Sequence, residues 1–510
     1  MTIKKEMSPN YLAWSQAWTF STAANFYPDQ NVKGLDLSAC LSSAAHRLHQ
    51  EVSSGKLPYV AMDYADDLTN SLKELTPYLH SFKHMLLLGI GGSALGARAL
   101  QKAFYPQQDW PGYPLNPNDR SLWIADNIDP ETLPAWFERL PAKDTLVLVI
   151  SKSGGTIETM AQYFLAKQWL EKKLPEARPK DGQKDAPNEY LAEYLAEEPN
   201  NWAGNWAGNW AGEEKDNWKN HFLFITDESK GFLRQQANLY NIRTLPVPEN
   251  LGGRYSVLCA VGLVPAAFLG MDWQALLEGA KELVRPFNQA KNPEQMEKAL
   301  NDHPAWNMAL WAESLMQRGF NELIYFTYVP KFAAFGNWFA QLWAESLGKN
   351  GLGSMPLPAV GVTDQHSLQQ MFLDGPRNKG CIFISGGGLP KGPSFPAELP
   401  SQWDFLNGHH LHDLLEAETL GTRMALAECE VPLLDIRLAS TNENTAGRLM
   451  TLLGLTTIFT GWLMGINPLD QPAVELGKRL ANASLGASGL EEEKKRLAAF
   501  INTKETIQEF

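Results

Sequence analysis

The sequence predicts an α/β protein built from two tandem domains, each a mainly parallel sheet flanked by helices. Three observations carry that reading. Short leucine-rich and β-branched runs alternate with helical patterns, as expected of strands buried on both faces of a parallel sheet. These runs fall into two sets separated by a helix-rich stretch. The chain has 510 residues, whereas a single core stops growing at about 250 to 300 residues.

In chain order, residues 1–60 are expected to form an N-terminal helical extension. The first α/β domain then spans 61–270, with strands at Met85 to Leu88, Ser121 to Ala125, Thr145 to Ile150, Phe222 to Thr226 and Arg243 to Val247. A helical region from Tyr255 to Gly319 follows, of which 271–320 connects the two domains. The second domain, 321–485, carries strands at Leu323 to Thr327, Val360 to Val362, Cys381 to Ser385 and Leu433 to Arg437. Residues 486–510 close the chain with a charged amphipathic helix near Leu490 to Ile501. One segment breaks the pattern: about 170–220 is rich in Lys, Glu and Pro and repeats Asn201-Trp-Ala-Gly204 twice more. Tryptophans at that spacing suit stacking on sugar rings or anchoring a partner. A repeat expansion in a surface loop explains them at lower cost, because loop-closure entropy grows only logarithmically with length, and it is the favoured reading.

The formal charge of -13, with 20% charged and 44% hydrophobic residues, describes a globular chain that lacks the Lys/Arg surplus used to grip nucleic acid or an anionic membrane. Neither partner is expected. Small anions remain open, since they respond to local field. Cys40, Cys259, Cys381 and Cys429 are far apart and form no CxxC, which fits a reducing compartment and argues against a disulfide framework or a zinc ribbon. No basic-then-apolar leader is visible at the N-terminus, so the cytoplasm is the expected location. The most apolar stretches, Ser256 to Met271 and Leu449 to Ile466, are short or interrupted by Gly and Pro and read as buried elements.

Five segments carry chemistry. Leu86 to Gly96 runs from a strand through Gly89-Ile-Gly-Gly-Ser93 into a helix. Such a turn lets backbone N-H groups approach an anion, although a tight βα turn alone also needs its glycines. It is neither a Walker sequence nor a clean dinucleotide fingerprint. Val149 to Thr159 repeats the arrangement with Ser151, Ser153, Thr156 and Thr159 as hydroxyl donors, where an ordinary helix cap would account for one. Two such loops on one sheet favour a phosphate monoester over a dinucleotide.

Arg254, in Gly252-Gly253-Arg254-Tyr255-Ser256, keeps its charge at working pH and suits a developing oxyanion, or else binds helix-end carbonyls. Gln341 and Glu345 share a helix face beside Trp343 and Leu347; the carboxylate is either a proton acceptor or a solvated partner of Lys349. His366 follows in a polar loop. Asp470, Gln471 and Lys478 surround Pro472 at a helix start, where a capped helix with a surface lysine explains them equally.

In this order, these segments resemble the phosphoglucose isomerase family from about Leu86 to Lys478, interrupted over 170–220. The resemblance implies two sugar-isomerase (SIS) domains. It also implies interconversion of glucose 6-phosphate and fructose 6-phosphate, in glycolysis and gluconeogenesis, without metal or organic cofactor. Glu345 would be the base moving a proton between C2 and C1 through an enediolate, and Arg254 would stabilise that intermediate. His366 and Lys478 would assist ring opening. Ser93, Ser151, Lys152 through its backbone, Ser153 and Thr156 would hold the phosphate. Gln341 and Gln471 would contact or orient the substrate, with Gly92 and Gly253 in the same binding set. The family's histidine comes from the neighbouring subunit, which implies a homodimer with shared active sites.

Some positions depart from the family pattern. Ser153-Gly154-Gly155 replaces a more Thr-rich loop, and Leu469 and Ala473 stand where an aromatic residue and a glycine are common. Two competing readings are an isomerase that also accepts mannose 6-phosphate and a silent SIS module that only senses sugar phosphates. The joint presence of Glu345, His366, Arg254 and Lys478 argues against the sensor.

Overall fold

The structure is a computed structural model that describes residues 12–15 (backbone only), 37–110, 112–114, 116, 118–174 and 217–502. The tandem Trp repeat lies outside them.

Among the described residues ten strands form two five-stranded sheets. The first contains β2 (His84–Leu88), β3 (Ser121–Ala125), β4 (Thr145–Ile150), β5 (Phe222–Thr226) and β6 (Arg243–Pro246) in the order β3-β2-β4-β5-β6, with every neighbouring pair parallel. The second contains β1 (Leu12–Ser15), β7 (Glu322–Thr327), β8 (Met355–Val360), β9 (Lys379–Gly386) and β10 (Leu433–Leu438) in the order β1-β10-β9-β7-β8. Only β1 runs antiparallel, against β10.

Central strands of the first sheet are apolar over most of their length because helices cover both faces. In β4, Thr-Leu-Val-Leu-Val-Ile is buried at every position. Alternate residues then part between the faces: Leu146 and Leu148 join the inner core, while Val147 and Val149 pack outward with Tyr163 and Trp169 of the helix Ile157–Lys173.

The expectation of two separate cores needs amendment. Leu87, Leu148 and Ile225 of the first sheet and Tyr325, Ile382 and Ile436 of the second belong to one continuous hydrophobic cluster. Helices Ala260–Leu269, Phe335–Leu347 and Glu443–Leu463 supply its middle layer. All ten residues of Ala260–Leu269 are buried, so its all-round hydrophobicity marks a core helix. Among the described residues no helix is long and apolar enough to cross a membrane.

Two local expectations also change. Residues 1–60, expected as a helical extension, hold the helix Leu37–Ser53 but also β1, a strand of four residues that is too short to show a period. The strand expected at Val360 to Val362 is β8, five residues earlier at its start and containing Pro356 and Pro358. Proline cannot donate to a ladder, which is tolerated here because β8 is an edge strand paired only with β7.

Candidate active site

In the first sheet the chain passes from β2 to β3 on one side and then to β4 on the other. The crevice beyond the carboxyl ends of β2 and β4 is therefore the switch point where open α/β sheets take ligands. Residues 89–93 leave β2 and residues 151–156 leave β4, and the two loops adjoin: a Cβ on Gly89 would lie 3.0 Å from Ser93 Cβ and 3.4 Å from the Ile150 carbonyl oxygen. Ser151 is buried, with its Oγ 3.1 Å from Thr156 Oγ1, and Ser153 Oγ accepts from the Gly155 N-H at 3.3 Å. Thr159 is buried in the helix itself, leaving Ser151, Ser153 and Thr156 as the hydroxyls of the loop.

The second half of the site comes from three distant segments. Glycine is required where they meet. A Cβ on Gly92 would lie 2.3 Å from the carbonyl carbon of Gly253, and one on Gly91 would lie 2.7 Å from Gln341 Nε2. Gly91 also has φ of +56°, in the left-handed region. Residues 89–93 are thus packed backbone to backbone against the turn Gly253–Leu258 that carries Arg254.

Arg254 is buried and uses all five of its N-H groups. Nε donates to Ser346 Oγ (2.7 Å), Nη1 to Gln471 Oε1 (2.8 Å) and Glu345 Oε2 (3.4 Å), and Nη2 to the carbonyls of Pro468 (2.7 Å) and Asp470 (2.9 Å). Glu345 accepts on its other oxygen from Gln341 Nε2 at 2.9 Å, as the one-turn spacing on Phe335–Leu347 demands. The Arg254 side chain is 2% exposed and the Glu345 side chain 33%. The carboxylate stays reachable while its cationic partner is fixed.

The alternative pairing of Glu345 with Lys349 is not made. Lys349 donates to the carbonyls of Ser346 (2.9 Å) and Asn467 and pairs with Asp470 Oδ1 at 2.9 Å. Hydrogen bonding from Lys349 holds the Asp470 carboxyl below its ordinary range. Asp470 therefore clamps the 467–471 loop and caps no helix. Lys152, half-buried and held below the ordinary lysine range by desolvation, donates through Nζ to the carbonyls of Glu249 and Leu251.

Two expected residues stand apart. His366 ends the short turn Thr363–Gln365 and is exposed. Lys478 lies on the helix Glu475–Ser484 and pairs with Glu475 at 2.8 Å. Neither contacts the Arg254 cluster within the described residues. Sequence reasoning missed Ser346, Tyr255 and Lys349 as supporting groups. Tyr255 lies 2.9 Å from Ser346 Oγ, and burial keeps its phenol protonated. Its place beside Arg254 was the available signal. Among the described residues no cluster of three or more His, Cys, Asp or Glu side chains is placed to hold a metal ion.

The chain is similar to several known proteins. The family model described as phosphoglucose isomerase matches residues 74–186 and 202–384. The chain is 31% identical to a probable glucose-6-phosphate isomerase of Methanococcus maripaludis, over 88% of this chain and 87% of that one. It is 35% identical to the glucose-6-phosphate isomerase of Rubrobacter xylanophilus, over 79% and 82%. Among solved structures, a hypothetical protein from Thermus thermophilus superposes with a TM-score of 0.72 at 27% identity, covering 93% of this chain and 100% of that one. A glucose-6-phosphate isomerase from Chlamydia trachomatis shares the fold, with a TM-score of 0.62 at 20% identity over 93% and 90%.

Proposed function

The chain belongs to the phosphoglucose isomerase family, and from that premise we propose that its two glycine-rich loops and the Arg254–Glu345 cluster interconvert glucose 6-phosphate and fructose 6-phosphate. The single observation that carries the mechanism is the ordered contact chain Gln341–Glu345–Arg254–Gln471 beside the switch-point loops. Ser93, Ser151, Ser153 and Thr156, with the N-H groups of Gly91, Gly92, Lys152 and Ser153, hold the phosphate. Gly92, which has no side chain to clash with the backbone of Gly253, lets the two loops meet beside it.

With the phosphate fixed, the opened sugar reaches Glu345. Glu345 removes the proton from C2 of the aldose as the electron pair moves to O1 to give an enediolate, and it returns that proton to C1 as the O2 hydroxyl proton passes to O1 and the C2 carbonyl forms. The charge that develops on O1 and O2 meets the Nη1 edge of Arg254. That edge is held by exchangeable side chains, whereas Nε and Nη2 are anchored to Ser346 and to main-chain carbonyls. The guanidinium is thus oriented before substrate arrives, which is the preorganisation that makes such donors effective.

Lys478 of the same chain and the partner subunit's His366 move protons to and from the ring oxygen. A homodimer with shared sites follows, supported by the exposure of His366 outside the cluster. Mixing Glu345→Gln and His366→Gln chains tests it: shared sites restore activity in mixed dimers, and self-contained sites do not. A cytoplasmic place in glycolysis and gluconeogenesis belongs to the same proposal, and cell fractionation checks it.

The deciding experiment offers the purified protein fructose 6-phosphate, reads glucose and mannose 6-phosphates separately, and includes a chelator. Turnover to glucose 6-phosphate that survives the chelator is expected. Glu345→Gln should lower kcat by about 10²- to 10⁴-fold with inhibition by inorganic phosphate unchanged. Undiminished turnover by that variant would remove Glu345 as the base.

A further inference from the structure

We propose that the side chain of Lys152 is a positioning residue that couples phosphate binding to the placement of Arg254. The inference rests on the reading of the site above and deepens it. Lys152 sits in the loop that leaves β4, where its main-chain N-H is one of the donors assigned to the phosphate. Its ammonium leads away from that cradle: Nζ donates to the main-chain carbonyls of Glu249 and Leu251, the latter at 2.9 Å. Leu251 directly precedes Gly252-Gly253-Arg254.

The arginine turn is therefore gripped from two sides by loops of the same anion site. Gly92 of the β2 loop abuts the backbone of Gly253 and Arg254, and Lys152 of the β4 loop ties down the residues just before them. The Lys152 carbonyl also accepts from the Asp227 N-H at 3.3 Å, which anchors the lysine to the loop after β5. A lysine used only as a phosphate ligand would aim Nζ at the cradle. This one spends donors on neutral carbonyls, so the position of the loop is carried through the lysine's two Nζ hydrogen bonds to the segment that sets Arg254. Orientation losses of this kind fall on kcat.

The test compares Lys152→Met, which keeps bulk without donors, with Lys152→Arg, which keeps a charged donor. Kinetics with fructose 6-phosphate are read beside inhibition by inorganic phosphate and by a phosphorylated aldonic acid that mimics the enediolate. Lys152→Met should lower kcat by at least about tenfold and weaken the aldonate by a similar factor. Inhibition by inorganic phosphate should stay within about twofold of wild type, and Lys152→Arg should recover most of the kcat. An unchanged kcat in Lys152→Met overturns the proposal, as does a loss of phosphate inhibition equal to the loss for the aldonate, since the lysine would then act on phosphate directly. Thermal melting checks the fold. If Lys152→Met does not fold, Lys152→Gln replaces it under the same criteria. Failure of the underlying reading looks different: wild type itself would not turn over fructose 6-phosphate, while calorimetry would still report whether the two ligands respond differently to the substitution.

Discussion

Adding one methyl group at Gly92 tests whether the two halves of the site depend on backbone contact. In Gly92→Ala the new Cβ would sit 2.3 Å from the carbonyl carbon of Gly253, 2.4 Å from its oxygen and 2.6 Å from the Arg254 nitrogen, where ordinary contact begins at 3.4 Å. Backbone atoms cannot rotate aside as a side-chain tip can. The peptide between residues 253 and 254 must retreat by about 1 Å, and Arg254 with its five hydrogen bonds must follow. A displacement of that size costs about 10²-fold in rate, or about 2.7 kcal/mol of barrier. Overpacking should remove a further ~1–3 kcal/mol from folding stability. The assay is kcat and KM for fructose 6-phosphate beside a urea unfolding midpoint. Gly253→Ala is the control for stability, because a Cβ there meets nothing within 4 Å, and its midpoint should correspond to within ~0.5 kcal/mol of wild type. Wild-type kcat and midpoint in Gly92→Ala would refute the reasoning, for the loops would then be separable without loss.

Two other outcomes follow from buried groups. Ser346→Ala removes the acceptor of Arg254 Nε while Tyr255 keeps a contact of 3.4 Å to the Pro468 carbonyl; stability should fall by about 1–3 kcal/mol with a drop in kcat, and an unchanged pair of values would show that Ser346 is not a support. His303 is buried and held down to a pKa of about 4 by desolvation, with Nε2 against the Leu283 carbonyl at 3.1 Å and Nδ1 accepting from the Ala305 N-H at 3.2 Å. Because its folded value is depressed, the unfolded chain binds the proton first. Its contribution is fully present above pH ~6.5 and should be lost by about 3 kcal/mol as pH falls from there to 4. Denaturant midpoints of wild type across that window should slope more steeply than those of His303→Gln; parallel profiles would exclude the histidine as the source.

The strands that could be read from sequence were those whose burial is set by the sheet itself. β4, β5 and the Cys381 to Ile384 stretch of β9 are apolar at nearly every position because both faces are covered. Where an edge relaxes that demand the signal fails, as in β8 with its two prolines and β1 with four residues. The loops after β2 and β4 were legible because glycines and hydroxyls next to a strand have few purposes. Pairing was not. Arg254, Glu345 and Gln471 are distant in the chain, and no periodicity says that a guanidinium reaches all three segments. The same limit explains Lys349: one turn from Glu345 it resembled an ordinary helix partner, and only the fold shows that its charge is used on Asp470.

That arrangement also explains how a chain of charge -13 can hold an anionic sugar phosphate. In the proposed site the phosphate end is served by hydroxyls and main-chain N-H groups of the first sheet, which need no formal charge. The reacting end of the proposed site has one guanidinium whose other bonds go to neutral groups, so among the described residues Glu345 is the sole carboxylate that Arg254 touches directly, and at its longest distance of 3.4 Å. Lys349 in turn pairs with Asp470 and removes that carboxylate from competition for the same arginine. Net charge is thus the wrong variable for this site. What matters is that the proposed base comes from a helix packed against the second sheet and the proposed phosphate loops from the first. The continuous core that joins the two sheets is therefore what fixes the distance between phosphate and proton acceptor, and core substitutions in Phe335–Leu347 should be felt in kcat before they are felt in phosphate binding.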